Sequence, residues 1–310
     1  MKLFIYSPLN ESLRSYLRSA LPASLQPVFR KELLGTALTE AFAEAEIIMG
    51  NPPVDWFAQI PPRLVFWQLD SAGFNQYQHL LLDAQVANMG DFYAKPCAET
   101  MVGGILAFYR GLPLLVKCQE QKRWLGGKIR PNLDLLSNKK VIILGAGSIG
   151  QAVKQMLMGF GCAVRMTARR NPQAQIYTFE ALLEALPETD LVINTLPGGL
   201  DKYVSAAFFQ AMKPGSLYAS VGRGNTTDEQ ALIQALQSGK LAGAVLDVTA
   251  QEPLPETSPL WEMENVILTQ HTSGGFKAEE EGKVRLFLRN LNKFLAGEPL
   301  ENLINLSQGY

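Results

Sequence analysis

Arg223, Glu252 and His271 follow one another along this chain behind a glycine-rich run, Gly145-Ala146-Gly147-Ser148-Ile149-Gly150. A guanidinium, a carboxylate and an imidazole are a fixed cation, an acceptor and a proton carrier. Histidine is scarce, His79 and His271 being the only two. The glycines stand in the order G-x-G-x-x-G. In a strand-turn-helix unit, Gly145 makes the tight turn, Gly147 lets a pyrophosphate approach the backbone, and Gly150 lets the helix pack closely on the strand. The free amides and dipole of that helix N-terminus stabilise phosphate charge. Such a motif also occurs in turns that bind nothing. Here Val141-Ile-Ile-Leu144 ahead of it reads as a buried strand, and Gln151 to Met158 behind it has helical spacing. The context predicts a dinucleotide site.

The residues about twenty positions further on select the nucleotide. A second strand, Cys162-Ala-Val-Arg-Met166, runs into Thr167-Ala168-Arg169-Arg170. An NAD site ends this strand with Asp or Glu, which accepts hydrogen bonds from the ribose hydroxyls. No carboxylate stands here, and two guanidiniums follow, whose planar forks suit a 2′-phosphate. The alternative is a pair of solvated loop charges. The expectation is NADP(H) in preference, with NAD(H) possible.

Each of the three chemistry-bearing residues follows a strand candidate. Ser216 to Val221 precedes Arg223, Ala242 to Leu246 precedes Glu252, and Val266 to Thr269 precedes His271. One edge of one sheet would present all three, and open α/β sheets build ligand sites at the carboxyl ends of their strands. His79, in Gln76-Tyr-Gln-His, reads as a surface residue in a polar helical context. Between the strands, Leu191 to Asn194 is a further strand, Ser205 to Met212 a helix, and Thr227-Asp-Glu-Gln230 a capping box with Thr227 as N-cap. Strand-helix alternation of this kind demands a parallel sheet. Ahead of residue 100 the same alternation recurs, with strands at Leu3-Tyr6, Ile47-Met49 and Leu64-Gln68 and a helix from Leu33 to Ala45. A long helix is expected from Ala98 to Gln119, then a polar, turn-rich stretch to Asn138. A last helix carries Val284, Phe287, Leu288, Leu291 and Leu295 on one apolar face.

Composition bounds the partners. At 310 residues, 47% hydrophobic and 18% charged, the chain is sized for about two domains. A formal net charge of −1 gives no basic field for nucleic acid or an anionic membrane. Three cysteines, Cys97, Cys118 and Cys162, show no metal or disulfide spacing, so no metal is expected. No signal-peptide pattern opens the chain, and Arg110 and Pro113 interrupt the apolar stretch from Met101 to Val116. A cytoplasmic protein without an appended regulatory domain is expected.

The segments Leu144 to Gly150, Val221 to Gly224, Leu246 to Pro255 and Asn265 to Gly275, with Ser71-Ala-Gly73 and Tyr93 to Glu99, resemble the D-isomer-specific 2-hydroxyacid dehydrogenases. The likeness spans almost the whole chain. By the missing acid and the arginine pair it is most similar to the NADPH-dependent glyoxylate/hydroxypyruvate reductases. The resemblance implies two doubly wound parallel-sheet domains: a Rossmann cofactor domain, about 100–275, inserted into a flavodoxin-like substrate domain of 1–99 and 276–310. It implies a cleft between them and a homodimer. It assigns Arg223 to the substrate's carboxylate and carbonyl oxygen, His271 to acid-base catalysis, and Glu252 to holding the histidine ring. The amides of Ala72 and Gly73 would cradle the substrate carboxylate, and Asn51 would also meet the substrate. Met101, Leu196, Pro197, Val221, Gly222 and Asp247 would line the nucleotide, Asp247 bonding the nicotinamide amide. Asn51, Met101, Trp124 and Trp261 are candidate walls of a small acyl pocket.

The residue types suit that chemistry. As hydride reaches a keto carbon its oxygen gains negative charge, and a cation and a proton donor aimed at that oxygen stabilise the transition state more than the ground state. A neighbouring carboxylate favours the imidazolium and keeps the proton available. The sequence departs from the family at Gln270, where proline is usual, which would loosen the loop. It departs also at Gly198-Gly199 and at Thr249-Ala-Gln251, which lacks an aromatic residue. Three other readings compete. NAD-linked oxidation of a hydroxy acid such as 3-phosphoglycerate is opposed by Arg169-Arg170. A nucleotide-sensing, non-catalytic corepressor-like protein would need a partner surface that no tail or motif supplies. A Rossmann methyltransferase leaves Arg223, Glu252 and His271 unexplained.

Overall fold

Short apolar runs become strands and the amphipathic stretches become the helices between them in the computed structural model, which describes residues 1–308. In chain order the first elements are β1 (Lys2–Ile5), α1 (Glu11–Ala20), β2 (Gln26–Phe29), α2 (Thr36–Ala43), β3 (Ile47–Met49), β4 (Phe66–Gln68) and β5 (Gln85–Ala87). Next come α3 (Ala94–Tyr109), α4 (Leu112–Glu120), β6 (Lys140–Leu144), α5 (Ser148–Met158), β7 (Ala163–Thr167), α6 (Phe179–Ala185) and β8 (Leu191–Asn194). The chain continues through α7 (Ala206–Ala211), β9 (Ser216–Ser220), α8 (Glu229–Gln237), β10 (Leu241–Leu246) and β11 (Val266–Leu268), and returns with α9 (Glu279–Ala296) and β12 (Leu303–Ile304). It divides into two compact units, Met1–Phe92 with the segment from Phe276 on, and Tyr93–Gly275. Since α3 lies whole in the second unit, that boundary falls ahead of residue 100.

The first unit is built on a sheet of order β12-β5-β4-β3-β1-β2, parallel except for β12 against β5. This is a flavodoxin-like order with one antiparallel edge strand. On one face α1 and α9 bury Leu17, Val284, Phe287 and Leu291 against Leu3, Ile5 and Phe66. The other face is aromatic, with Phe57 stacked on Trp67 at 4.6 Å between ring centroids. The expected apolar face of α9 holds for Val284 to Leu291, but Leu295 is 43% exposed. Phe294 continues the three-residue step from Leu291 and stacks on Phe66 instead.

The second unit carries the order β11-β10-β9-β8-β6-β7, parallel throughout. Strand order reverses between β6 and β8, so the loops leaving their carboxyl ends diverge and open a crevice there. Helices α3 and α5 cover one face and α6 to α8 the other. The single helix expected from Ala98 to Gln119 is two, α3 and α4, bent by 71°. Gly111 turns left-handed at the break (φ 62°), and Pro113 opens the next helix. The helix expected from Leu33 shortens to α2 because Gly35, at φ 59°, sets its start. Thr227 is not the cap of α8. Asp228 is, accepting from Ala231 N, while the Thr227 hydroxyl turns inward to Tyr218 Oη at 2.6 Å. Among the described residues, no single helix is long and apolar enough to cross a membrane.

Candidate active site

The glycine turn between β6 and α5 has the form its residue types require. Gly145 sits at φ 100°, where an L side chain would be strained. A Cβ on Gly150 would stand 2.5 Å from the Gly145 carbonyl, so helix and turn touch only because it is glycine. A Cβ on Gly147 would meet nothing within 4 Å, so packing within the protein does not demand glycine there; close approach of a ligand would. Among the described residues the N–H groups of Ala146, Gly147 and Ser148 have no acceptor, as expected where a helix begins. This cradle fits a pyrophosphate. Leu196 and Gly222 close in from the neighbouring loops, a Cβ on Gly222 reaching 2.3 Å from the Leu196 carbonyl.

β7 leads to Arg169 and Arg170, both exposed and without an ion pair or hydrogen bond among the described residues. Their turn is not slack. Asn171 Nδ2 donates to the Ala146 carbonyl at 2.9 Å, and Gly145 N donates to Thr167 Oγ1 at 3.1 Å, tying it twice to the glycine turn.

At the carboxyl ends of β10 and β11, Glu252 Oε2 lies 2.6 Å from His271 Nδ1. Glu252 Oε1 accepts from Thr249 N at 3.0 Å, which fixes the carboxylate from its own loop. With Nδ1 engaged, Nε2 is the nitrogen left to exchange a proton with a substrate. The histidine turn hangs on Asp247, which is 3% exposed. The Asp247 side chain accepts from Thr269 Oγ1 at 2.6 Å, Thr272 N at 3.1 Å, Ser273 N at 3.2 Å and the Ser273 hydroxyl. Its backbone carbonyl accepts from His271 N at 2.6 Å. Gln270 and His271 both adopt φ 55°, uncommon for side chains of their size and the kind of strain that surrounding bonds must hold. Proline, locked near φ −65°, cannot take the conformation Gln270 has. The loop expected to loosen without proline is thus pinned by Asp247.

Beside the pair lies a cavity of about 400 Å³ walled by Leu246, Leu254, Trp261 and Leu268. Arg223 follows β9, half-buried, its Nη1 donating to the Gly222 carbonyl at 3.0 Å. Pro197 and Val221 sit on the loops that leave β8 and β9. Two expected wall residues lie elsewhere: Met101 is wholly buried in the core between the sheet and α3, and Trp124 is 95% exposed beyond α4. His79 is exposed. Among the described residues no cluster of three or more His, Cys, Asp or Glu could hold a metal ion.

In the first unit, Asn51 organises the turn Ser71-Ala72-Gly73. Its Oδ1 accepts from Asp70 N and its Nδ2 donates to Ser71 Oγ, both at 2.9 Å. Asn88 Nδ2 holds the Ala72 carbonyl at 2.6 Å, and Ser71 Oγ donates to the Gly73 carbonyl at 2.7 Å. Among the described residues the N–H groups of Ala72 and Gly73 have no acceptor, which leaves two donors for an anion. The sequence reading missed Thr269, Thr272, Ser273, Asn88 and Asn171. Their only signal was a clustering of Thr, Ser and Asn at strand ends, where short polar side chains build turns.

The sequence model of the D-isomer specific 2-hydroxyacid dehydrogenase NAD binding domain matches residues 102–273, more than half of the chain. The chain belongs to the D-isomer specific 2-hydroxyacid dehydrogenase family. Glyoxylate/hydroxypyruvate reductase B of Serratia proteamaculans (strain 568) is 30% identical over 86% of this chain and 86% of its own. The crystal structure of a family protein from Aeromonas salmonicida subsp. salmonicida A449 is 29% identical, has a TM-score of 0.83, and covers 98% of this chain and 99% of its own. A family member from Xanthobacter autotrophicus Py2, solved in complex with NADPH and MES, is 26% identical with a TM-score of 0.81, covering 100% of this chain and 99% of its own. This 2-hydroxyacid dehydrogenase is therefore an oxidoreductase with a Rossmann-type domain for a pyridine nucleotide, acting on small 2-hydroxy or 2-keto acids.

Proposed function

We propose that the protein reduces a small 2-keto acid of the glyoxylate or hydroxypyruvate kind to the D-2-hydroxy acid, with NADPH preferred over NADH. The observation that carries this reading is the His271–Glu252 pair, 2.6 Å apart at the carboxyl edge of the sheet that also bears the glycine turn. Gly145 to Gly150 would hold the pyrophosphate, Arg169 and Arg170 a 2′-phosphate, and Leu196, Pro197, Val221 and Gly222 would line the nucleotide. A nicotinamide held there would supply the hydride for reduction. Arg223 binds the substrate's carboxylate and carbonyl oxygen and stabilises the charge that grows there. His271 Nε2 delivers the proton to that oxygen, and Glu252 keeps the ring oriented through its contact with Nδ1. Within the first unit, the free amides of Ala72 and Gly73 offer two donors to a carboxylate. The names of the relatives support the substrate class, and the NADPH-bound family structure supports the nucleotide.

A homodimer is part of this reading. Leu112, Leu114, Leu115 and Val116 of α4 are all exposed, an apolar stripe that a second copy would cover.

Steady-state kinetics test the proposal. With glyoxylate, hydroxypyruvate, pyruvate and phenylpyruvate, kcat/KM is expected to be highest for glyoxylate and hydroxypyruvate and at least tenfold higher with NADPH than NADH. No turnover across the panel would remove the enzymatic reading, and equal rates with both nucleotides would remove the NADP preference.

A further inference from the structure

Nucleotide choice on this fold is usually ascribed to the residues that meet the ribose, yet here the arginine turn is built as a clamp. Asn171 stands at its centre. Its Nδ2 donates to the Ala146 carbonyl inside the glycine turn at 2.9 Å, while its Oδ1 accepts from Gln173 N at 2.9 Å and closes the local turn. Tyr177 Oη braces the same loop, donating to the Ala174 carbonyl at 2.6 Å. A second tie runs from α5, where Gln151 Nε2 donates to Gln173 Oε1 at 2.5 Å. Arg169 and Arg170 project from this clamp with no carboxylate partner among the described residues.

We propose that Asn171 is a positioning residue for nucleotide choice. It fixes the arginine turn against the glycine turn, so that a 2′-phosphate and a pyrophosphate are received at one set separation. The inference rests on the reading that Arg169 and Arg170 take a 2′-phosphate. Long guanidinium side chains lose much freedom on binding, and a turn already held in place leaves less to be lost. Without the Nδ2 bond the turn keeps only its ties through Thr167 and Gln151, its spacing from Ala146 is no longer set, and a ligand that needs both ends loses most. One that uses the glycine turn alone is little affected.

The test is calorimetric binding of adenosine 2′,5′-bisphosphate and adenosine 5′-monophosphate, which differ only in the 2′-phosphate. Asn171→Ala is expected to weaken the bisphosphate five- to twentyfold and the monophosphate less than twofold. Asn171→Asp keeps the acceptor for Gln173 N but loses the donor to Ala146 and adds a negative charge, so it should weaken the bisphosphate further still. If the parent protein binds both ligands equally, the 2′-phosphate reading falls and this inference falls with it. If the parent discriminates and both variants discriminate as well as it does, only the role of Asn171 is overturned. Equal weakening of both ligands in either variant also overturns it, since that is general damage to the turn.

Discussion

The backbone N–H of His271 donates to the main-chain carbonyl of Asp247 across 2.6 Å, so the imidazole is carried on a turn that the buried carboxylate closes from beneath. Four further donors of that turn converge on the Asp247 side chain. Hydrogen bonds to a charged acceptor are worth about 1.5 to 3 kcal/mol each, and an unsatisfied buried donor costs a comparable amount. Asp247→Asn exchanges one acceptor oxygen for an amide that must face donors. The variant is expected to lose about 2 to 4 kcal/mol of stability, read by urea unfolding, and kcat should fall at least tenfold because the turn no longer holds two left-handed residues in place. An unchanged unfolding midpoint would show that the carboxylate is not what holds the turn.

Removing the imidazole separates chemistry from binding. His271→Ala should lower kcat by about 10²- to 10⁴-fold, the usual contribution of a positioned acid-base group. The dissociation constant for the nucleotide should stay within about threefold, since the glycine turn is untouched. Glu252→Gln keeps the shape but loses the charge and should fall between parent and His271→Ala. Turnover of His271→Ala at the parent's rate would exclude the histidine as the proton donor.

How much of this was readable in the chain depends on whether a residue acts through its own backbone or through distant partners. The roles of Gly145 and Gly150 follow from local sterics, and the structure shows the left-handed turn and the close contact that those residue types imply. The parallel sheets follow from strand-helix alternation. The Asp247 hub did not follow, because Thr269 and Ser273 meet that carboxylate only once β10 and β11 lie side by side. Thr227 and Asp228 are both competent caps, and only the inward bond of Thr227 to Tyr218 decides between them. Met101 is open by its type to either a pocket wall or the core, and α3 places it in the core.

The arginine pair should discriminate the nucleotides directly. Arg169→Ala with Arg170→Ala removes two charge-assisted partners of a 2′-phosphate, each interaction about twice as strong as a neutral hydrogen bond. KM for NADPH is expected to rise at least tenfold while KM for NADH changes less than threefold. Parallel increases in both would mean that the two side chains are ordinary surface charges.

Asp70, next to the Ser71-Ala72-Gly73 turn, gives a pH signature. Burial is the main cause that lifts its carboxyl from the ordinary 3.8 to about 6, opposed by the Ser7 hydroxyl at 2.6 Å and the nearby Lys283. An acid whose folded pKa is raised binds its proton more tightly when folded. Its contribution to stability is therefore greatest below pH 3.8 and declines as pH rises to about 6. Two units at about 1.4 kcal/mol each bound the effect at about 3 kcal/mol. Asp70→Asn, which cannot ionise, should be more stable than the parent by about 1 to 3 kcal/mol at pH 7.5, the gap closing below pH 4. A gap that stays constant between pH 4 and 7 would refute the raised carboxyl.

The stripe on α4 gives the last test. Leu112, Leu115 and Val116 fall at helical spacing on one side of α4, and all are exposed. Burying such a side chain is worth about 1.5 to 3 kcal/mol, and a symmetric interface doubles the count. A carboxylate placed there would be buried against apolar neighbours and, across a two-fold axis, would add a like charge on each side. Leu115→Glu is therefore expected to shift sedimentation from dimer to monomer at micromolar concentration. Its thermal midpoint should become independent of protein concentration, whereas that of the parent rises with it. A parent that sediments as a monomer, or a variant that remains dimeric, would assign the exposed stripe to some other role.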